Sequence, residues 1–117
     1  MDNEKIVKEK GQKYSNLVIS EMRSMLDIKE EDKKREEIMW YGLSIDKGNT
    51  IINYLISWGG PSYRLQIELD SDNDVVSIKP QYQDWFTQWV TMETTEEQEE
   101  TLKEFVDELY LEEYINC

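Results

Sequence analysis

Eight consecutive residues, Tyr63 to Asp70, alternate between apolar and polar. Tyr63, Leu65, Ile67 and Leu69 fall on one phase, and Arg64, Gln66, Glu68 and Asp70 on the other. A helix would scatter this pattern round its circumference, whereas a strand sorts it onto two faces. The run predicts a strand with one wet face and one dry face, and something apolar must cover the dry one. Thr50 to Trp58 supplies a second strand, with Ile52, Tyr54, Ile56 and Trp58 in step, joined through the turn-forming Gly59-Gly60-Pro61-Ser62. After a polar turn over 71–74, Val76 and Ile78 open a third strand towards Tyr82, in which Pro80 suggests an edge or a bulge. Short links between successive strands predict a three-stranded antiparallel meander.

Helices supply the cover. Val7, Tyr14, Leu17, Val18, Met22, Met25 and Leu26 recur at three- and four-residue spacings, predicting a helix over about 3–28. Gly11 weakens its first turns. A shorter helix is expected from 29 or 31 to Tyr41, with Ile38, Met39 and Trp40 as its apolar end and Gly42 as its stop. Thr95 and Gln98 form a capping box ahead of a stripe of Leu102, Phe105, Val106, Leu109 and Tyr110, so a last helix should run over about 96–113. The expected fold is α+β: N-terminal helices, a three-stranded antiparallel β meander and a C-terminal acidic helix. The 117 residues suit a single domain, with a helical part over 1–45 and a βββα part over 50–117.

Charge is the second constraint. Residues 1–58 carry 11 acids and 10 bases, a net of −1, while residues 59–117 carry 15 acids and 3 bases, a net of −12. Such a surface repels phosphate backbones and anionic lipid, so direct nucleic-acid or membrane binding is not expected, and a basic protein partner is. No apolar run is long enough to span a bilayer, the first residues lack the apolar core of a secretory signal, and the one cysteine, Cys117, leaves no internal disulfide. A cytoplasmic protein is the expectation. Without histidine there is no His-based triad, general base or metal ligand, and no phosphate-cradling glycine motif is present. Catalysis, cofactor and metal are therefore not expected. Asp70-x-Asp72-x-Asp74 begins like a calcium loop, but Val75 and Gln81 stand where that loop needs Gly and Glu.

Two groups of residues remain as candidates for binding. The first is acidic: Glu68, Asp70, Asp72 and Asp74 on the hairpin, and Glu97, Glu100 and Glu104 on the last helix. Spaced carboxylates on rigid elements could copy the charge of a nucleic-acid backbone, about one per 1.7 Å of duplex axis. They would be steered onto a basic channel meant for DNA or RNA. The second group is aromatic, Trp85 and Trp89 in the segment QYQDWFTQWV, and suits an immunity or adaptor protein that binds a toxin or host factor.

The block GGPSYRLQIELD, followed by that segment and an acidic helix, resembles small proteins of bacterial mobile elements. Gly59, Gly60, Pro61, Asp84, Trp85 and Phe86 carry the resemblance, over about the last 70 residues. In size and acidity the chain also looks like the small phage inhibitors of CRISPR nucleases and restriction enzymes, a likeness of physical character. That likeness implies a stoichiometric anti-CRISPR-type inhibitor acting in a host cell's cytoplasm.

Two apolar helix stripes crowd one side of three strands. A face of the first helix around Leu17, Val18 and Met25 is thus expected to be left for a second copy, giving a homodimer with its acidic halves outward.

Overall fold

The computed structural model describes residues 3–59, 61–84 and 88–109. Two helices, α1 (Asn3–Leu26) and α2 (Glu31–Tyr41), lead into five strands: β1 (Ser44–Lys47), β2 (Ile51–Ser57), β3 (Ser62–Leu69), β4 (Val75–Gln83) and β5 (Val90–Thr91). The helix α3 (Glu96–Glu108) follows. All strand pairs are antiparallel, in the order β1-β2-β3-β4-β5. The expected three-stranded meander is therefore corrected to five strands. Its three strands are the central β2, β3 and β4, and each flank gains a short one. Neither addition has a pattern of its own: β1 offers only Ile45 as an apolar residue, and β5 is two residues long. Both exist because an exposed strand edge offers unpaired backbone groups.

The alternation of Tyr63 to Leu69 sorts as expected, with all four apolar side chains buried and facing the helices. They share this dry face with Ile52, Tyr54 and Ile56 of β2 and Pro80 and Tyr82 of β4. Pro80 carries no amide hydrogen, so only its carbonyl meets β5, accepting from the Met92 N–H at 2.8 Å. The bulge in β4 falls elsewhere, opposite Glu68 and Leu69.

Above the sheet, α1 and α3 lie side by side. Tyr14 of α1 meets the rings of Tyr63 and Tyr82 at 5.4 and 5.9 Å, while Phe105 of α3 meets Tyr41 and Tyr54 at 5.8 and 6.3 Å. Of the α1 stripe, Val7, Val18, Met22, Met25 and Leu26 are buried and Tyr14 is half-buried, but Leu17 is exposed. Successive helical residues are about 100° apart, and Leu17 sits that far round from Val18 on the solvent side. The free face expected around Leu17, Val18 and Met25 is thus reduced to Leu17 alone, because α1 packs against α3 and α2 as well as against β4. At Gly42 the backbone is extended (φ −89°), so no left-handed cap forms there. A Cβ at this position would run into the Tyr54 ring, and this close approach is what requires glycine. No helix among the described residues is long and apolar enough to cross a membrane. The part of the last helix expected beyond 109 lies outside the described residues.

Candidate functional site

The acidic helix is anchored at its start. The Gln98 N–H donates to Thr95 Oγ1 at 3.2 Å, and the Thr95 N–H donates to Gln98 Oε1 at 2.9 Å, completing the capping box. Glu96, Glu97 and Glu99 occupy the first turn, where the positive end of the helix dipole favours them. With Glu93 and Glu100 they make five exposed carboxylates within residues 93–100. Gln12 of α1 clamps the approach to this end, donating to the Glu93 carbonyl at 2.8 Å and accepting from its N–H at 3.1 Å.

Further along α3 the acids are answered. Arg23 of α1 reaches Glu104 at 2.8 Å and Asp27 at 3.3 Å, and Lys34 of α2 reaches Glu108 at 3.4 Å. Burial works against the Arg23 charge, but its bonds to Glu104 and Asp27 prevail and its pKa stands above the ordinary value. The near-neutral first half thus contributes two of its cations to the last helix. Glu97 and Glu100 have no such partner among the described ion pairs, and they line a shallow groove of about 530 Å³ shared with Asn16, Ser20 and Arg23 of α1. On the other flank of α3 lies a larger groove of about 810 Å³, floored by Val76, Ile78, Leu102 and Val106. Lys79 and Lys103, two of the three bases after residue 58, stand on its rim beside Glu99 and Asp107.

The second acidic group is a separate feature. Asp70 Oδ1 accepts from the N–H groups of Asp72 (2.8 Å) and Asp74 (3.0 Å), which folds the β3–β4 turn around it. Asn73 completes the turn at φ 65°, a left-handed conformation asparagine tolerates. Carboxylate oxygens of Asp70, Asp72 and Asp74 lie within 4.8 Å of one another and are exposed. Three hard oxygens this close could hold part of a calcium shell, which takes six to eight. Glu68, exposed nearby on the wet face, accepts from Ser77 Oγ at 3.2 Å. This turn adjoins Val75, at the far end of β4 from the residues that pair with β5. At about 3.3 Å per residue, some 20 Å of strand separates it from that end. The structure therefore does not bring the expected acidic residues into one file: Glu97 and Glu100 form one surface, Asp70, Asp72 and Asp74 another, and Glu104 is engaged with Arg23.

The aromatic candidates divide differently. Trp85 and its neighbour Phe86 lie outside the described residues. Trp89 is half-buried and covers Arg64 on the open face of the sheet, its ring centroid 4.1 Å from the guanidinium carbon. Arg64 Nε donates to Gln81 Oε1 at 2.8 Å and Gln81 Nε2 to Thr91 Oγ1 at 3.2 Å, while burial lowers the Arg64 pKa. Trp89 is thus committed within the fold. Among the described residues the solvent-facing tryptophans are Trp40, 80% exposed, and Trp58, 70% exposed. A signal for Trp40 was available: Ile38, Met39 and Trp40 are consecutive on a helix and cannot all face inward. Trp58 escapes its expected register because a bulge between Leu55 and Ser57 shifts the end of β2. Comparison with known proteins gives no match to a family model, to a curated protein or to a solved structure.

Proposed function

We propose that the chain is a small acidic inhibitor that binds a bacterial nucleic-acid-binding defence protein, of the anti-CRISPR or anti-restriction kind, and occupies its basic channel. It acts by stoichiometric binding in the bacterial cytoplasm, without a catalytic step. The observation that carries this reading is the capped start of α3, where five exposed carboxylates crowd residues 93–100. Rigid, pre-placed charge of one sign speeds encounter with a basic groove and competes there with phosphates. Glu97 and Glu100 are the residues expected to lead the contact, with the hairpin aspartates as a second, spatially distinct point of attraction.

The test is capture from a bacterial lysate, comparing the chain with its Glu96→Lys/Glu97→Lys/Glu100→Lys variant, each checked for helix content by circular dichroism. A nucleic-acid-binding protein retained by the first and lost by the second is the expected result. Equal recovery of only the abundant basic proteins by both would sink the reading.

A further inference from the structure

Among the described residues, four large apolar side chains left in solvent lie together, away from the acidic start of α3; Leu17, Ile51, Val75 and Val76 are exposed elsewhere. Trp40 (80% exposed) and Met39 (63%) end α2, Leu43 (62%) leads into β1, and Trp58 (70%) follows β2. The Leu43 N–H donates to the Leu55 carbonyl at 2.7 Å, which places Leu43 alongside the end of β2, three residues before Trp58. Gly42, packed against the Tyr54 ring, holds the α2–β1 connection down on the sheet. The four side chains therefore flank one corner of the molecule, at the strand that closes the sheet on this side among the described residues.

Local charge at this corner is nearly balanced. Residues 29–58 carry six acids and five bases, a net of −1 in a chain of −13. Two copies repel through their acidic second halves, whereas here apolar burial is opposed by almost no net charge. We infer that this corner is the surface through which two copies of the chain pair, by a two-fold axis that sets the Trp40 and Trp58 of each against the patch of the other. A basic partner drawn by charge would go to α3 instead, and this pairing leaves α3 free for it. The surface differs from the α1 face around Leu17.

Sedimentation of the full chain over about 1 to 100 µM tests this, since a self-associating species shifts with concentration. The expected result is a monomer–dimer equilibrium that tightens as salt rises from about 0.05 to 0.5 M, because screening relieves repulsion between the copies. Salt would weaken, not tighten, the capture of a basic partner, so the two associations are distinguishable. Trp40→Ser/Trp58→Ser, at positions exposed enough to leave the fold intact, should stay monomeric with an unchanged circular dichroism spectrum. A single monomeric species throughout overturns the inference. So does a dimer that survives the double tryptophan change, or one that only Leu17→Ser abolishes.

Discussion

The hydroxyl oxygens of Ser15 and Tyr63 lie 2.8 Å apart, sealed from solvent, and join α1 to β3. Burial pushes the Tyr63 pKa up, with the Ser15 bond pulling the other way and nearby Tyr14 adding to the rise. Ser15→Ala leaves the phenol without this partner and should destabilise the fold by about 1–3 kcal/mol, the usual penalty for orphaning a buried polar group. Tyr63→Phe should cost a similar amount, and the double variant less than the sum of the two. Urea unfolding of the four proteins measures the coupling; strictly additive losses would mean the two hydroxyls do not depend on each other.

Gly11 stands in the middle of α1, where alanine should add roughly 1 kcal/mol by helix propensity alone. The expected sign is reversed here. A Cβ at this position would lie 2.8 Å from Cδ1 of the Tyr82 ring and 2.7 Å from Met92 Sδ. The methionine end can swing aside, but Tyr82 is buried and packed under Tyr14. Gly11→Ala is predicted to lower stability by about 1–3 kcal/mol, the scale of overpacking in a filled core. A raised melting temperature would show that the ring gives way.

The close approaches of Gly11 to Tyr82 and of Gly42 to Tyr54 mark what a sequence leaves unread. The wet and dry phases of β3 were legible because period two is a local property, and the Thr95–Gln98 capping box because its partners are three residues apart. Gly11 and Gly42 read as a weak spot and a helix stop, because the rings they accommodate, Tyr82 and Tyr54, are distant in the chain. The same holds for charge. The run of acids was plain, but the neutralisation of Glu104 and Glu108 by Arg23 and Lys34 depends on how α1 and α2 pack beside α3. β1 and β5 were invisible for the same reason: they are strands by pairing, with no pattern to announce them.

Alkaline pH should expose the buried phenols. Burial, foremost, raises the pKa of Tyr41, Tyr63 and Tyr82, aided at Tyr41 by the bond to Glu21 and at Tyr82 by Asp84. In the unfolded chain a tyrosine ionises near about 10. A folded pKa above the unfolded one means the unfolded state loses protons first, so stability is intact below about pH 9 and falls as pH rises past 10. Melting temperatures between pH 7 and 11 should show a plateau and then a steep decline. Tyr63→Phe should start lower but decline less steeply. An equally steep decline in that variant would assign the alkaline loss to groups other than Tyr63.

Glu100 and Glu104, one helical turn apart, should respond to neutralisation with opposite signs. Glu104 holds Arg23 at 2.8 Å, but the side chains are 55% and 41% exposed, so solvent screening limits the pair. Glu104→Gln is predicted to lower stability by less than about 1 kcal/mol. Glu100 has like-charged neighbours at Glu96, Glu97 and Glu104, each a helical turn away and each disfavouring it by about 0.2–0.5 kcal/mol, against one favourable neighbour, Lys103, three residues on. Glu100→Gln should therefore raise stability by about 0.5–1 kcal/mol while weakening capture of a basic partner, the trade expected where charge is kept for binding rather than for folding. Thermal melts at low ionic strength give both signs, and the difference should shrink as salt is added. A loss of stability from Glu100→Gln would mean that this carboxylate is held by the fold and is not free for a partner.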